Sequence, residues 1–315
     1  MILKDCEILL TEPRGFCAGV ERAIGIVNRA IELFNETIYV KHEVVHNKYV
    51  IEELIKKGVV FIESLDEVPN NSILIYSAHG VSREVTDLAK KKNLKIFDAT
   101  CPLVTKVHFE IHKYAREDTD VVLIGHHGHP EVEGTMGQYV SKSGKIHLVE
   151  SEDDVSKLVI KNRKLAYVSQ TTLSVDDTAN IIDCLKEMFP NIIGPRKDDI
   201  CYATQNRQEA VKKILDYCDS LIVVGSQNSS NSQRLKEIAL QHGKNAYLID
   251  NESQLDINNL CNDRIIGVTA GASAPEDTVQ TLIKFLISKG AHLSNKELTF
   301  KEENVTFSLP KSLRR

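Results

Sequence analysis

The chain reads as an α/β protein made of three similar small units, each carrying a parallel sheet. Strand-like apolar runs alternate with stretches of helical apolar spacing from end to end, the pattern of βαβ units. Three cysteines, Cys17, Cys101 and Cys201, each stand at or near the start of one such helical stretch. Downstream of each cysteine two strand-like runs end in polar clusters at similar distances. The first cluster begins at His46, His129 and Ser229, 29, 28 and 28 residues on, and the second reaches His79, Thr171 and Ser273, 62, 70 and 72 residues on. Polar residues just past the carboxyl ends of buried strands are where open α/β sheets hold ligands. The three units are therefore expected to point their functional ends at one shared centre.

Taken in order, strands are predicted at 7–10, 39–41, 72–76, 94–97, 120–124, 164–168, 221–224, 246–249 and 264–269. After Cys17 the spacing of Val20, Ile24, Val27 and Ile31 predicts a helix, and Val104, Val107 and Ile111 do the same after Cys101. Pro102 suits the first helical position, which makes Cys101 the cap residue and sets its sulfur at the positive end of the helix. That environment favours a thiolate. Residues 302–315 read as a strand and a polar tail that return to pack near the N-terminal strand. The expected domains are 14–100, holding Cys17, His46 and His79; 101–197, holding Cys101, His129, Glu131 and Thr171; and 198–315, holding Cys201, Ser229, Asn231 and Ser273, completed by 1–13.

A length of 315 residues alone implies about two domains; the internal period raises this to three. Hydrophobic residues make up 42% and charged residues 26%, as in an ordinary globular protein with a sizeable core. A formal net charge of -5 and the lack of a Lys/Arg cluster argue against nucleic acid as a partner. Neither a signal-peptide layout nor an eighteen-residue apolar run is visible, so a cytoplasmic protein without a membrane partner is expected. Seven widely spaced cysteines do not form a disulfide framework. Cys184 and Cys218 lie in helix-like patterns and read as core, while Cys6 and Cys261 have no partner motif.

Zinc in a structural site wants four ligands, usually from paired C-x2-4-C knuckles, and this chain has none. Thiolates far apart in sequence suit an iron–sulfur cluster at a domain junction, and a four-iron cluster given three thiolates keeps one iron open to substrate. Three unrelated buried cysteines are the alternative, which their repeated placement disfavours. His46, His79, Ser229, Ser230, Asn231 and Ser273 form a set of neutral or cationic donors fit for an anion. His129, Glu131, Thr171 and Thr172 form a second set, and GHHGHPEVEG gathers His126, His127, His129 and Glu131, all proton-transfer groups, on one loop. No nucleotide-binding glycine motif accompanies them.

The motifs PRGFCAGV, HEVVHN, SAHGVS, DATCP, GHHGHPE, SQTTLS, DDICYAT, GSQNSSNS and GASAPE run in order from Cys17 to Glu276. Together they resemble the 4-hydroxy-3-methylbut-2-enyl diphosphate reductase (LytB/IspH) family. The resemblance implies three α/β domains in pseudo-threefold arrangement around a central 4Fe-4S cluster, one per chain, ligated by Cys17, Cys101 and Cys201 with one iron free of cysteine. It further implies a substrate diphosphate bound by His46, His79, Ser229, Ser230, Asn231 and Ser273, with Glu131, Thr171 and His129 serving the reacting hydroxyl. The activity it implies is reductive dehydroxylation of the allylic diphosphate to isopentenyl and dimethylallyl diphosphate, the last step of the methylerythritol phosphate route to isoprenoids. A one-electron donor such as flavodoxin or ferredoxin would supply the electrons. Two other readings stay open: another three-cysteine iron–sulfur enzyme, such as a quinolinate-synthase-like dehydratase, and a non-catalytic metal-binding module.

Overall fold

The computed structural model describes residues 3–160 and 164–314. In chain order its elements are β1 (Glu7–Glu12), α1 (Ala18–Leu33), β2 (Ile38–Lys41), α2 (Lys48–Lys56), β3 (Val60–Ile62), β4 (Ile73–Tyr76), α3 (Arg83–Lys91), β5 (Lys95–Asp98), α4 (Pro102–Arg116), β6 (Asp120–Ile124) and α5 (Pro130–Gly137). They continue with β7 (Ile146–Val149), α6 (Glu152–Ser156), β8 (Leu165–Ser169), α7 (Val175–Met188), α8 (Tyr202–Ile214), β9 (Ser220–Val224), α9 (Ser230–Gln241), β10 (Asn245–Ile249), β11 (Ile265–Ala270), α10 (Glu276–Ser288) and β12 (His292–Thr299). The fold is α/β with three parallel sheets, ordered β10-β9-β11-β1-β12, β3-β2-β4-β5 and β7-β6-β8.

All nine expected strands are present to within two residues at either end. The central strands β6 (DVVLI) and β9 (SLIVV) are buried at every position, as a strand covered by helices on both faces must be. Three further strands, β3, β7 and β12, escape the sequence pattern, and each lies at a sheet edge. β3 (VFI) and β7 (IHLV) are short, and β12 (HLSNKELT) is polar, so each gives a weak signature, unlike the edge strands β5, β8 and β10. The C-terminal expectation is corrected accordingly. The strand that pairs with β1 is β12 (HLSNKELT), whereas 302–310 run without strand pairing and end in a 3-10 turn at Lys311–Leu313. Cys218 is core as expected, but it lies in the turn beyond α8, packed among Leu215, Leu221 and Val223 and not on a helix.

The chain divides into two compact units. The first comprises Met1–Val20, His46–Glu52 and Tyr202–Thr306 and contains the five-stranded sheet, with apolar cores on both of its faces. Inside it Arg207, only 1% exposed, donates from its guanidinium to the Gly15 carbonyl at 2.7 and 3.2 Å and to the Ala203 carbonyl at 2.9 Å, and pairs with Glu303 at 3.1 Å. A buried cation so enclosed ties the loop that leads to Cys17 to helix α8 and to the segment after β12.

The second unit, Glu21–Val45, Glu53–Cys201 and Phe307–Arg315, contains the other two sheets. Helix α5 joins them. It carries Gly134 and Gly137 where a Cβ would stand 3.3 Å from the Gly80 backbone and 2.2 Å from Ser82 Cβ. Only glycine lets this helix lie against the turn after β4. Gln138 Nε2 then donates to the Val81 carbonyl at 2.7 Å and holds the contact. Replacing Arg207 by Ala would leave the Gly15 carbonyl without its partner and Glu303 with only the Asn206 amide at 2.8 Å, so unfolding free energy should fall by about 3–5 kcal/mol. A guanidinium titration reads this as a lower midpoint; an unchanged midpoint would mean that the ion pair contributes nothing net.

Candidate active site

The loops after β6 and β9 are built alike. Each begins with a glycine (Gly125, Gly225), reaches a capping residue (His129, Ser229), and places a buried polar side chain at the second helical position (Glu131 in α5, Asn231 in α9). His129 Nδ1 accepts the Glu131 N–H at 3.1 Å, and Ser229 Oγ accepts the Ser232 N–H at 3.4 Å. In both loops the side chain at that second position accepts a backbone N–H from the neighbouring strand end. Glu131 Oε1 takes the Thr171 N–H at 2.7 Å, and Asn231 Oδ1 takes the Ala272 N–H at 2.8 Å.

In the second unit Glu131 is 3% exposed, and its other oxygen accepts the Thr171 hydroxyl at 3.0 Å. Burial pushes its pKa up to about 7, against the opposing pull of the two Thr171 hydrogen bonds and with a smaller push from the charge of Asp199. A carboxyl poised there can donate or accept a proton near neutrality. The α5 contact with the turn after β4 also sets the His129 ring edge-on to that of His79, centroids 5.7 Å apart. Of the other loop histidines, His126 faces Glu150 at 3.5 Å and His127 is exposed, so His129 alone stands beside Glu131. Thr172 accepts Gln170 Nε2 at 2.9 Å, which separates it from the role open to Thr171.

The first unit gathers His46, Ser229, Ser230, Asn231 and Ser273. Ser273 Oγ donates to the His46 carbonyl at 2.8 Å and lies 3.5 Å from Ser229 Oγ, while Asn228 Nδ2 approaches His46 Nδ1 at 3.4 Å. Ser230 holds the first position of α9. At Gly271 a Cβ would meet Ser232 Oγ at 2.0 Å, so glycine is required where this strand end passes the start of α9. Asn231 is 4% exposed and its Nδ2, sealed from water, has no hydrogen-bond partner among the described residues. A buried amide donor left open in this way matches an anionic acceptor. Ser226 was not singled out from the sequence. It accepts the Lys48 N–H at 2.9 Å and bonds Asp250, stapling the loop, and no motif marks it apart from the serines around it.

The three cysteines share a further relation. Cys17, Cys101 and Cys201 immediately precede α1, α4 and α8, and Cys101 caps its helix with Pro102 at the first position. Each cysteine N–H donates to a carbonyl of a second polar strand end, Cys17 to Ala272 at 3.1 Å, Cys101 to Ala78 at 3.0 Å and Cys201 to Thr171 at 3.0 Å. All three are partly exposed free thiols, whereas Cys6 and Cys218 are buried, with burial pushing both thiols up to about 11. Cys184 packs against the α7 core and Cys261 is exposed. Among the described residues no three His, Cys, Asp or Glu side chains form a ready group for a single metal ion; ligands of a multi-iron cluster each bind a different iron and stand farther apart.

Fold and loops define a class, an α/β protein of parallel sheets whose chemistry-bearing side chains stand just past the carboxyl ends of the strands. The chain belongs to the LytB family, whose profile, described as LytB protein, matches residues 8–287. It is 61% identical over 313 residues to 4-hydroxy-3-methylbut-2-enyl diphosphate reductase of Acinetobacter baumannii, covering 98% of each chain. To the protein of the same name from Methylococcus capsulatus it is 59% identical over 310 residues, with 98% of this chain and 99% of the other covered. The solved E-1-hydroxy-2-methyl-but-2-enyl-4-diphosphate reductase of Plasmodium falciparum superposes with a TM-score of 0.91 at 42% identity, over 98% of this chain and 96% of that one.

The raised pKa of Glu131 makes a stability prediction. Because the folded value lies above the ordinary 4.5, the folded state favours the protonated form, and the wild type loses stability as pH rises from about 4.5 through about 7. Glu131→Gln mimics the protonated acid. Its unfolding free energy relative to wild type should therefore increase by a few kcal/mol across that window and level off above it. A pH-independent difference, measured by denaturant titration, would place the Glu131 pKa at its ordinary value.

Proposed function

We propose that the chain is a 4-hydroxy-3-methylbut-2-enyl diphosphate reductase, an iron–sulfur oxidoreductase of the last step of the methylerythritol phosphate isoprenoid route. The observations that carry this reading at the level of chemistry are a buried Glu131 carboxyl whose pKa is pushed up to about 7 and, in its own unit, a buried Asn231 amide donor left open. One is an acid for a departing hydroxyl, the other a receptor for an anion. The substrate carries both groups. Relatives bearing this enzyme name match nearly the whole chain.

Cys17, Cys101 and Cys201 are the proposed ligands of a 4Fe-4S cluster, one per chain, with one iron free of cysteine. The donor set fits such a group, since three soft, partly exposed thiols stand directly before helix starts. When bound, the cluster supplies single electrons and a Lewis-acidic iron. The physiological source of those electrons is proposed to be a one-electron carrier protein of the flavodoxin or ferredoxin kind, and the compartment the cytoplasm. Among the described residues no helix is long and apolar enough to cross a membrane. Domain boundaries at 14–100, 101–197 and 198–315 with 1–13 are proposed from sheet membership. β1 pairs with β11 and β12, which supports assigning the N-terminal segment to the last domain; residues 1–2 and 315 lie outside the described residues.

The balanced reaction takes an allylic alcohol, two electrons and two protons to an alkene and water. Asn231 Nδ2, the Ser229, Ser230 and Ser273 hydroxyls, His46 and His79 are assigned to the diphosphate, fixing the carbon chain and excluding water from it. Glu131 delivers the proton that lets the hydroxyl leave as water, and Thr171 holds the carboxyl by its N–H and hydroxyl. His129, capping the same helix, fixes the Glu131 backbone and lines the hydroxyl side. The second proton goes to either end of the allyl unit, giving isopentenyl or dimethylallyl diphosphate, with the bound diphosphate as its source.

Anaerobically purified protein is expected to be brown, and any one of Cys17→Ser, Cys101→Ser or Cys201→Ser should cost it iron, sulfide and visible absorption. Cys184→Ser should keep all three. Full clusters in every ligand variant would refute the assignment. The two loops should also separate kinetically. Asn231→Ala should raise KM roughly ten- to hundredfold through loss of a donor to a charged group, while Glu131→Gln should lower turnover about a hundredfold with substrate binding kept. Anaerobic assay with reduced methyl viologen checks both, and near-normal turnover of Glu131→Gln would take Glu131 out of the proton step.

A further inference from the structure

Two electrons must reach the site from outside the chain, and one surface of the second unit has the chemistry to receive their carrier. Helix α4, which begins directly after Cys101, is lined along one side by two grooves. The first, about 610 Å³, opens beside its first turns and is walled by Pro102, Thr105, Phe109 and the segment Ser308–Pro310, with Arg22 and Arg314 among its lining. The second, about 370 Å³, continues beside its last turns at His112 and Arg116, with Arg83 and Lys90 opposite. Thr105, Phe109, His112 and Arg116 follow at helical spacing of four, three and four, so they share one face.

On that face Phe109 is 66% exposed, a large aromatic with no core to fill. Around it the grooves are lined by five cations, Arg22, Arg314, Arg83, Lys90 and Arg116, against two acids, Asp98 and Asp87. In a chain whose formal net charge is -5, a local cationic excess around an exposed aromatic is a departure from the whole. An aromatic anchor ringed by charge is the make-up of a steered protein interface. Phe109 lies eight residues along α4 from Cys101, about 12 Å at the helical rise, and Pro102 and Thr105 bring the groove to the turn that Cys101 caps.

We infer that this α4 face is the docking surface for an acidic one-electron carrier protein, with Phe109 as its apolar anchor and the flanking arginines and lysine as its steering charges. The inference rests on the reductase reading, since only a reaction that consumes electrons needs the carrier. The groove ends at the turn that Cys101 caps, so the electron is assigned to enter by Cys101 and the first turns of α4.

The test compares donors on the reconstituted holoenzyme, with reduced flavodoxin as the protein donor and reduced methyl viologen as the small one. Phe109→Ser and the double variant Arg83→Gln/Arg116→Gln should each lower kcat/KM for flavodoxin about tenfold or more. Their methyl viologen turnover should stay within about twofold of wild type, and the double variant should lose most of the wild-type salt dependence. Unchanged flavodoxin kinetics in both variants would overturn the proposal, as would equal losses with both donors. Should Phe109→Ser prove insoluble, the charge variant decides by the same comparison. A wild-type holoenzyme inert with methyl viologen would sink the reductase reading itself, and this surface with it.

Discussion

Parallel pairing is the constraint on which the rest of this structure depends. In each sheet every strand runs the same way, so every carboxyl end emerges at the same edge, and the loops that begin there have nowhere else to go. All the residues assigned to chemistry except Cys201 lie on those loops or at the helix starts that follow them; Cys201 comes after the connection out of α7 and meets the strand ends through its N–H bond to the Thr171 carbonyl. A helix start also brings unpaired N–H groups, so the edge that collects side chains collects positive backbone charge as well. A bound phosphate is favoured in such a place.

The matched loops after β6 and β9 show how one backbone serves two chemistries. Glu131 and Asn231 hold equivalent helical positions, are almost equally buried, and accept an N–H from equivalent strand ends. What differs is the side chain. A buried carboxyl that accepts two hydrogen bonds yet remains desolvated titrates near neutrality and can release its proton. An amide in the same setting never titrates and offers a fixed donor. The Thr171 and Ala272 peptides link each of these groups onward, because their carbonyls accept the Cys201 and Cys17 N–H groups. Movement of a cysteine loop would therefore reach the acid or the amide through a single residue, Thr171 or Ala272.

Much of this was legible in the chain. Buried central strands announce themselves as unbroken apolar runs, and cysteines at helix starts are visible from the periodicity that follows them. The strands β3 (VFI), β7 (IHLV) and β12 (HLSNKELT) were not, the first two being short apolar runs and the third polar, whereas the edge strands β5, β8 and β10 were legible. The C-terminal segment was misread for a related reason. VTFSL has the composition of a strand, but its Leu309 and the following Leu313 are used to pack against the second unit, and the pairing with β1 goes to the more polar HLSNKELT. Composition weighs single residues, whereas pairing depends on which segment reaches the open side of β1.

By itself the sequence determined the fold class, the positions of most strands along the chain, and the residue types available at each loop, because these follow from local periodicity and turn chemistry. Tertiary structure alone decided which of several equal candidates is used. Thr171 and Thr172 are indistinguishable as neighbours until Glu131 is brought to one of them, and His129 is set apart from His126 and His127 by capping α5 and by facing the His79 ring. The open Asn231 amide and the shifted Glu131 carboxyl are likewise invisible in the chain, since both arise from burial by segments distant in sequence. Desolvation is a property of what surrounds a group, and only packing supplies those surroundings.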